Sequence, residues 1–176
     1  MQLNDNIRAE MIKLLPRLQR FGYALTGSMD QGNDLVQETC ARALARIEQW
    51  QPGTRLDSWM FRIAHNLWLD TCRARKVRGE VVDITDMYEL SDVDGRDVVE
   101  NRQTLNLVME GIEGLPEDQK VLIALVCIDG LSYKETAKIV DVPIGTVMSR
   151  LARARKSLRN LVEPEFDIRP ALKSEK

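Results

Sequence analysis

The chain has 176 residues, 44% of them hydrophobic, with a formal net charge of −2. That length accommodates one domain or two small ones, and no apolar run approaches the roughly 20 residues that span a bilayer. Cys40, Cys72 and Cys127 are far apart, and His65 is the only histidine, so no zinc site or disulfide framework is expected. No metal and no cofactor is therefore predicted. The N-terminal stretch MQLNDNIRAE lacks a charged-then-apolar leader pattern, which points to a cytoplasmic protein without membrane insertion of its own.

In chain order, IRAEMIKLLPRLQRFGYALTG predicts a first helix, kinked or restarted at Pro16. MDQGNDLVQETCARALARIEQW predicts a second, ending before the Pro52-Gly53 turn, with Val36, Cys40, Ala43, Leu44 and Ile47 as its buried stripe. Asp34, Gln37, Glu38 and Arg42 share its other side, which suits solvent or a charged protein partner. RLDSWMFRIAHNLWLDTCRARKVR follows as a long helix or a pair. All three tryptophans, Trp50, Trp59 and Trp68, lie in or next to it, interleaved with Arg55, Arg62, Arg73, Arg75, Lys76 and Arg78. Aromatics beside cations form a stacking platform along an electrostatic track, an arrangement that holds unpaired bases. Trp59 is expected in the core, while Trp50, Trp68 and the amide of Asn66 are candidates for contact with a base.

Charge divides the chain. Residues 1–82 hold 12 Lys/Arg against 9 Asp/Glu, residues 83–104 hold 2 against 7, and residues 105–176 hold 11 of each. The acidic stretch also loses apolar periodicity. Residues 80–104 are therefore expected to be a flexible linker between two small helical domains, 1–79 and 105–162, with a tail over 163–176.

In the second domain, LNLVMEGIEGL predicts a helix, and Pro116 opens another that is apolar nearly all round and closes at Gly130. The stretch Leu131 to Arg159 then reads as a helix-turn-helix. Ser132 and Glu135 make a capping box, Asp141-Val142 interrupts, and Pro143 suits the first turn of a final helix. Ile144, Val147, Leu151, Ala154, Leu158 and Leu161 form its apolar seam. Thr146, Ser149, Arg150, Arg153 and Lys156 take the opposite face, flanked by Arg155 and Arg159. A helix with one buried side and only hydroxyls and cations on the other suits phosphates and base edges in a major groove. The fold class is thus all-α, two small helical domains, the second containing a helix-turn-helix. Nothing in the chain resembles a nucleophile with its base or a phosphate-binding glycine loop, so an enzyme is not expected.

Three blocks in this order, NDLVQETCARAL, DSWMFRIAHNLWLDTCR and the stretch from Leu115 to Arg159, resemble the extracytoplasmic-function sigma factors of bacterial RNA polymerase. The resemblance covers about residues 10–162 and implies an alternative sigma factor directing promoter-specific transcription initiation in a stress response. It implies that Asp34, Gln37, Glu38 and Arg42 bind core polymerase at the β′ coiled coil, with the β flap as a further contact. Trp50, Arg55, Arg62, Asn66, Arg73, Arg75, Lys76 and Arg78 are implied at a single-stranded −10 element. Thr146, Ser149, Arg150, Arg153 and Lys156 are implied at duplex −35 DNA. A cognate anti-sigma factor is the further partner implied. Met148 stands where the family often carries a cation, and the turn WQPGTRLD departs from its usual aromatic-Arg-Gly pattern. The other readings are a polymerase-independent helix-turn-helix repressor or activator, and a decoy for an anti-sigma factor.

Overall fold

A computed structural model of the chain describes residues 2–79 and 107–162, with side chains from residue 6 onward. Its elements are α1 (Gln2–Thr26), α2 (Met29–Ala45), a short 3-10 turn (Ile47–Gln49) and α3 (Leu56–Arg78). After the gap come α4 (107–113), α5 (Glu117–Ile123), a π-helical turn (Ala124–Ile128), α6 (Tyr133–Val140) and α7 (Ile144–Val162). Among the described residues there is no strand. The expected linker and tail lie outside the described residues.

Local chemistry sets most of the boundaries. Pro16 sits inside α1 on its exposed side, so the carbonyl that loses its N–H partner faces water and the helix continues. Ser28 caps α2, its hydroxyl accepting from the Gln31 N–H at 3.4 Å. Gly79 ends α3 in the left-handed conformation, with φ of 67°. The capping box of α6 is present on both sides: Ser132 Oγ accepts from the Glu135 N–H at 3.2 Å, and Glu135 Oε2 from the Ser132 N–H at 3.0 Å. Asp141 turns the chain from α6 toward α7 with φ of 55°, a conformation Asp tolerates better than most side chains.

The stripe of α2 is rotated from the expected one. Gly32, Leu35, Val36, Thr39 and Ala43 are buried, whereas Leu44 is exposed and Cys40 half-buried. The reason is a close crossing of α1 and α2. A Cβ on Gly22 would lie 2.7 Å from the Gly32 carbonyl oxygen, and one on Gly32 would lie 2.9 Å from the Tyr23 nitrogen. Two glycines let the backbones touch and turn the Gly32 side of α2 inward.

The sequence suggests two domains on a tether, but the described halves share a core. Val121, Ala124, Leu125, Leu131 and Ile139 are buried in one cluster with Leu18, Phe21, Met60, Phe61 and Trp68. A second cluster is local to the C-terminal half, where Leu122 and Ile123 meet Val147, Leu151 and Ala154. This explains why the run from Val121 to Leu125, at the end of α5 and the start of the π-helical turn, is apolar all round: one side supports α7, the other packs on the first half of the chain.

Candidate nucleic-acid and protein interface

α2 presents Asp34, Gln37 and Glu38 to solvent, and Arg42 is half-buried with its Nε 2.8 Å from Glu38 Oε1. All four expected residues therefore share one helix. An open groove of about 750 Å³ runs between α1 and α2 beside them, lined by Met11, Ile12, Leu15, Gln37, Cys40 and Leu44 among others. Ile12 is 65% exposed there.

The candidates on α3 divide by environment. Asn66, Arg73 and Lys76 are exposed, Arg73 lying 3.2 Å from Asp70. Arg75 donates to Gln31 Oε1 at 2.7 Å and lies over the Trp68 ring, 5.8 Å from its centroid. The Arg78 Nε donates to the Ala74 carbonyl at 3.4 Å. Trp59 packs half-buried on the core as expected. Trp68, a candidate for base contact, is only 3% exposed and is a core residue. Its ring also carries the buried Lys120 ammonium at 5.9 Å from its centroid, so the cations around it serve packing. Trp50 is half-buried against the same core, with its Nε1 buried and no acceptor among the described residues.

Arg55 and Arg62 are engaged by the other half of the chain. Arg55 donates to both oxygens of Asp57, at 3.0 and 2.6 Å, and is paired with Glu135 of α6. Arg62 donates to the Lys138 carbonyl. A cleft of about 520 Å³ is enclosed by Arg55, Trp59, Arg62, Glu135, Lys138 and Ile139, among others. Behind it, Arg17 of α1 bridges the halves. It holds Asp129 through two N–H groups at 3.0 and 2.6 Å and Asp57 at 3.0 Å, over the face of Phe61. Burial opposes the charge on Asp57 most strongly, but donation from Arg55, Arg17 and the Ser58 N–H outweighs it and brings its pKa down to about 2. The bond to Asp129 in turn raises the Arg17 guanidinium above its usual range. Sequence periodicity gives no sign of this cluster, because Arg17 and Asp129 are 112 positions apart.

On α7, Val147, Leu151 and Ala154 are buried as expected, but Ile144 and Leu161 are exposed and fall outside the seam. Ser149, Arg153 and Lys156 lie on the solvent face. Arg150 does not: it is half-buried on the flank, with its Nε 3.0 Å from Asp118 Oδ2 at the start of α5. Thr146 is half-buried on the same flank. Arg155 reaches the other way, donating to the Tyr133 hydroxyl at 3.2 Å and to Cys127 Sγ at 3.7 Å. Met148, which stands where the family often carries a cation, is exposed on this face, and so is Ala152, which sequence reasoning missed.

Comparison with known proteins matches residues 11–78 to Sigma-70 region 2 and residues 105–158 to Sigma-70 region 4. The chain is 36% identical over 166 residues to the ECF RNA polymerase sigma factor EcfG of Rhodopseudomonas palustris, covering 92% of this chain and 88% of that one. It is 30% identical over 152 residues to SigW of Bacillus subtilis, covering 81% of each. Among solved structures, it superposes on the sigma factor RpoE in complex with the anti-sigma factor NepR from Bartonella quintana. The TM-score is 0.73 at 27% identity, over 91% of this chain and 98% of that one. With both sigma regions matched in order and the relatives aligned over most of their length, the chain belongs to the ECF sigma factors of RNA polymerase.

Proposed function

We propose that this chain is an alternative sigma factor that works in the cytoplasm by binding equilibria, making and breaking no covalent bond. The observation that carries the reading is three separate surfaces on one chain of a sigma family. They are the acidic and polar side of α2, the basic track of α3, and the helix-turn-helix of α6 and α7. Asp34, Gln37, Glu38 and Arg42 dock on core polymerase at its β′ coiled coil. Asn66 and Trp50 receive an unpaired base of the −10 strand, while Arg73, Arg75, Lys76 and Arg78 follow phosphates. Ser149, Arg153 and Lys156 face the −35 duplex from α7, with Thr146 and Arg150 on the flank of the contact. An anti-sigma factor of the kind bound by the B. quintana neighbour is the expected negative partner.

The described arrangement is a closed one. At about 3.4 Å per base pair, sites centred near −10 and −35 are roughly 80 Å apart along a duplex, whereas here α3 and α6 touch and Arg62 bonds to the Lys138 carbonyl. The halves must separate for both elements to be read together. Separation also frees Arg55 and Arg62, which the closed state ties to α6. Core polymerase, by holding the halves apart, would convert a closed chain into one that reads DNA.

The deciding experiment is run-off transcription with purified core polymerase on a genomic promoter library. Start sites that depend on this chain are expected. Tight binding to a palindromic duplex without polymerase would instead make it a conventional regulator.

A further inference from the structure

The solvent face of α7 is built of two parallel rows. Gly145, Ser149 and Arg153, with Lys156 beside them, make a polar row. Ile144, Met148 and Ala152 follow each other at four-residue steps and make an apolar row next to it. Ile144 is 47% and Met148 53% exposed, and neither joins the buried cluster of Val147, Leu151 and Ala154. Single exposed apolar side chains are ordinary. Three in register, on the half of a recognition helix that meets base edges, form a surface. A second observation lies alongside. Gly145 is helical, exposed and at an ordinary φ, and a Cβ there would meet nothing within 4 Å. The fold has no use for a glycine at that position, which weakens the helix relative to alanine. A partner whose backbone approaches closely does have a use for one.

Resting on the sigma-factor reading above, we propose that Ile144, Met148 and Ala152 determine specificity at the −35 element by packing against thymine methyl groups. The C5 methyl of thymine is the apolar group that a base pair presents in the major groove. The charges surrounding the row select nucleic acid over an apolar protein partner: Arg153, Arg155, Lys156 and Arg159 are all exposed on α7, which carries no acid. A flexible thioether at Met148 can follow the groove floor and fill the space between adjacent methyls. In this arrangement Ser149 and Arg153 take hydrogen bonds on one side of the groove, while the apolar row supplies contacts that need no donor or acceptor. Loss of one methyl contact is expected to weaken binding about fourfold.

The test uses holoenzyme reconstituted from core polymerase and the full chain, on a promoter taken from the run-off selection. Each thymine of the −35 element, on either strand, is replaced singly by deoxyuridine, which removes the methyl and nothing else. At least one replacement should weaken promoter binding about fourfold with the native chain and have no effect with Met148→Ala or Ile144→Ala. Arg153→Ala should keep the sensitivity to uracil while losing sensitivity to a changed guanine. Uracil tolerated everywhere by the native chain, sensitivity that survives both apolar substitutions, or an element with no A·T pair would overturn the proposal. So would a Met148→Ala chain that reads DNA normally but binds polymerase or a protein regulator less well, because the row would then be a protein contact. A chain that directs no initiation at all fails earlier, at the sigma-factor reading, and circular dichroism shows whether either variant has lost its fold.

Discussion

Arg55 is shared between Asp57, two residues along, and Glu135 of α6, the same glutamate that caps its own helix at Ser132. One carboxylate thus secures the start of the helix-turn-helix and fastens it to the other half of the chain. Together with Arg17, Asp57 and Asp129 it makes a charged seam at the edge of a shared apolar core.

Breaking that seam should open the chain. Arg17→Met keeps a side chain of similar length beside Phe61 but leaves Asp129 without its guanidinium and Asp57 with that of Arg55 alone. The loss is expected to be about 3 kcal/mol or more, because the Asp129 side chain is only 2% exposed. Cys72 provides a readout: it is 9% exposed and lies against Glu117 of the other half, and burial, then the Glu117 charge, pushes its thiol up to about 11. With Cys40 and Cys127 changed to Ser, Cys72 should resist maleimide in the closed chain and react at least tenfold faster in Arg17→Met. Equal labelling rates would show that Arg17 does not hold the halves together.

Docking can be separated from folding at α2. Asp34 and Glu38 are exposed, and Glu38 has only its surface pair with Arg42. Reversing both charges to Lys should change stability by less than about 1 kcal/mol and abolish co-purification with core polymerase. Circular dichroism and pull-down, measured on the same sample, check both halves of the statement.

Acid should act in two steps. Burial lowers the His65 pKa, so below about 6.5 the unfolded chain takes a proton that the folded chain refuses, and stability falls with pH. Asp57, held at about 2, supplies stability that is whole above the usual carboxylate value and is lost between about pH 4 and 2. Its contribution is on the order of 1–2 kcal/mol. Urea midpoints against pH should lose the upper step in His65→Gln and shrink the lower one in Asp57→Asn.

The glycine crossing predicts a sharp steric penalty. Gly32→Ala places a methyl 2.9 Å from the Tyr23 nitrogen, against backbone that cannot move aside cheaply. A loss of about 1–3 kcal/mol is expected, and because α2 must rotate or lift, weaker polymerase binding should accompany it. Gly145→Ala, with open space around it, should leave the free chain at least as stable.

Much of this fold could be read locally. The helix start at Ser132, the break at Asp141 and the exposed acids of α2 all follow from neighbours in sequence, and each is where the pattern puts it. What periodicity could not give was the partner across the chain. Trp68 looked like a free aromatic because its core lies partly in α5, and Arg150 looked outward because Asp118 is 32 positions earlier. Ile144 fits the apolar spacing of α7 but sits just off the centre of the buried arc, a difference that only packing decides. One signal was available: a run as apolar as Val121 to Leu125 has two faces to cover.

That run, from α5 into the π-helical turn, limits how far the chain can be recombined. In sequence the halves look exchangeable between relatives, since each is a recognised region with its own pattern. In space, Val121, Ala124 and Leu125 are fitted to α1 and α3 while Leu122 and Ile123 are fitted to α7. A chimaera that takes residues 107–162 from another sigma factor would set a foreign α5 against the α1 and α3 of this chain, and its closed form would meet the wrong neighbours at Arg17 and Phe61. What such a graft would disturb first is the closure of one half on the other.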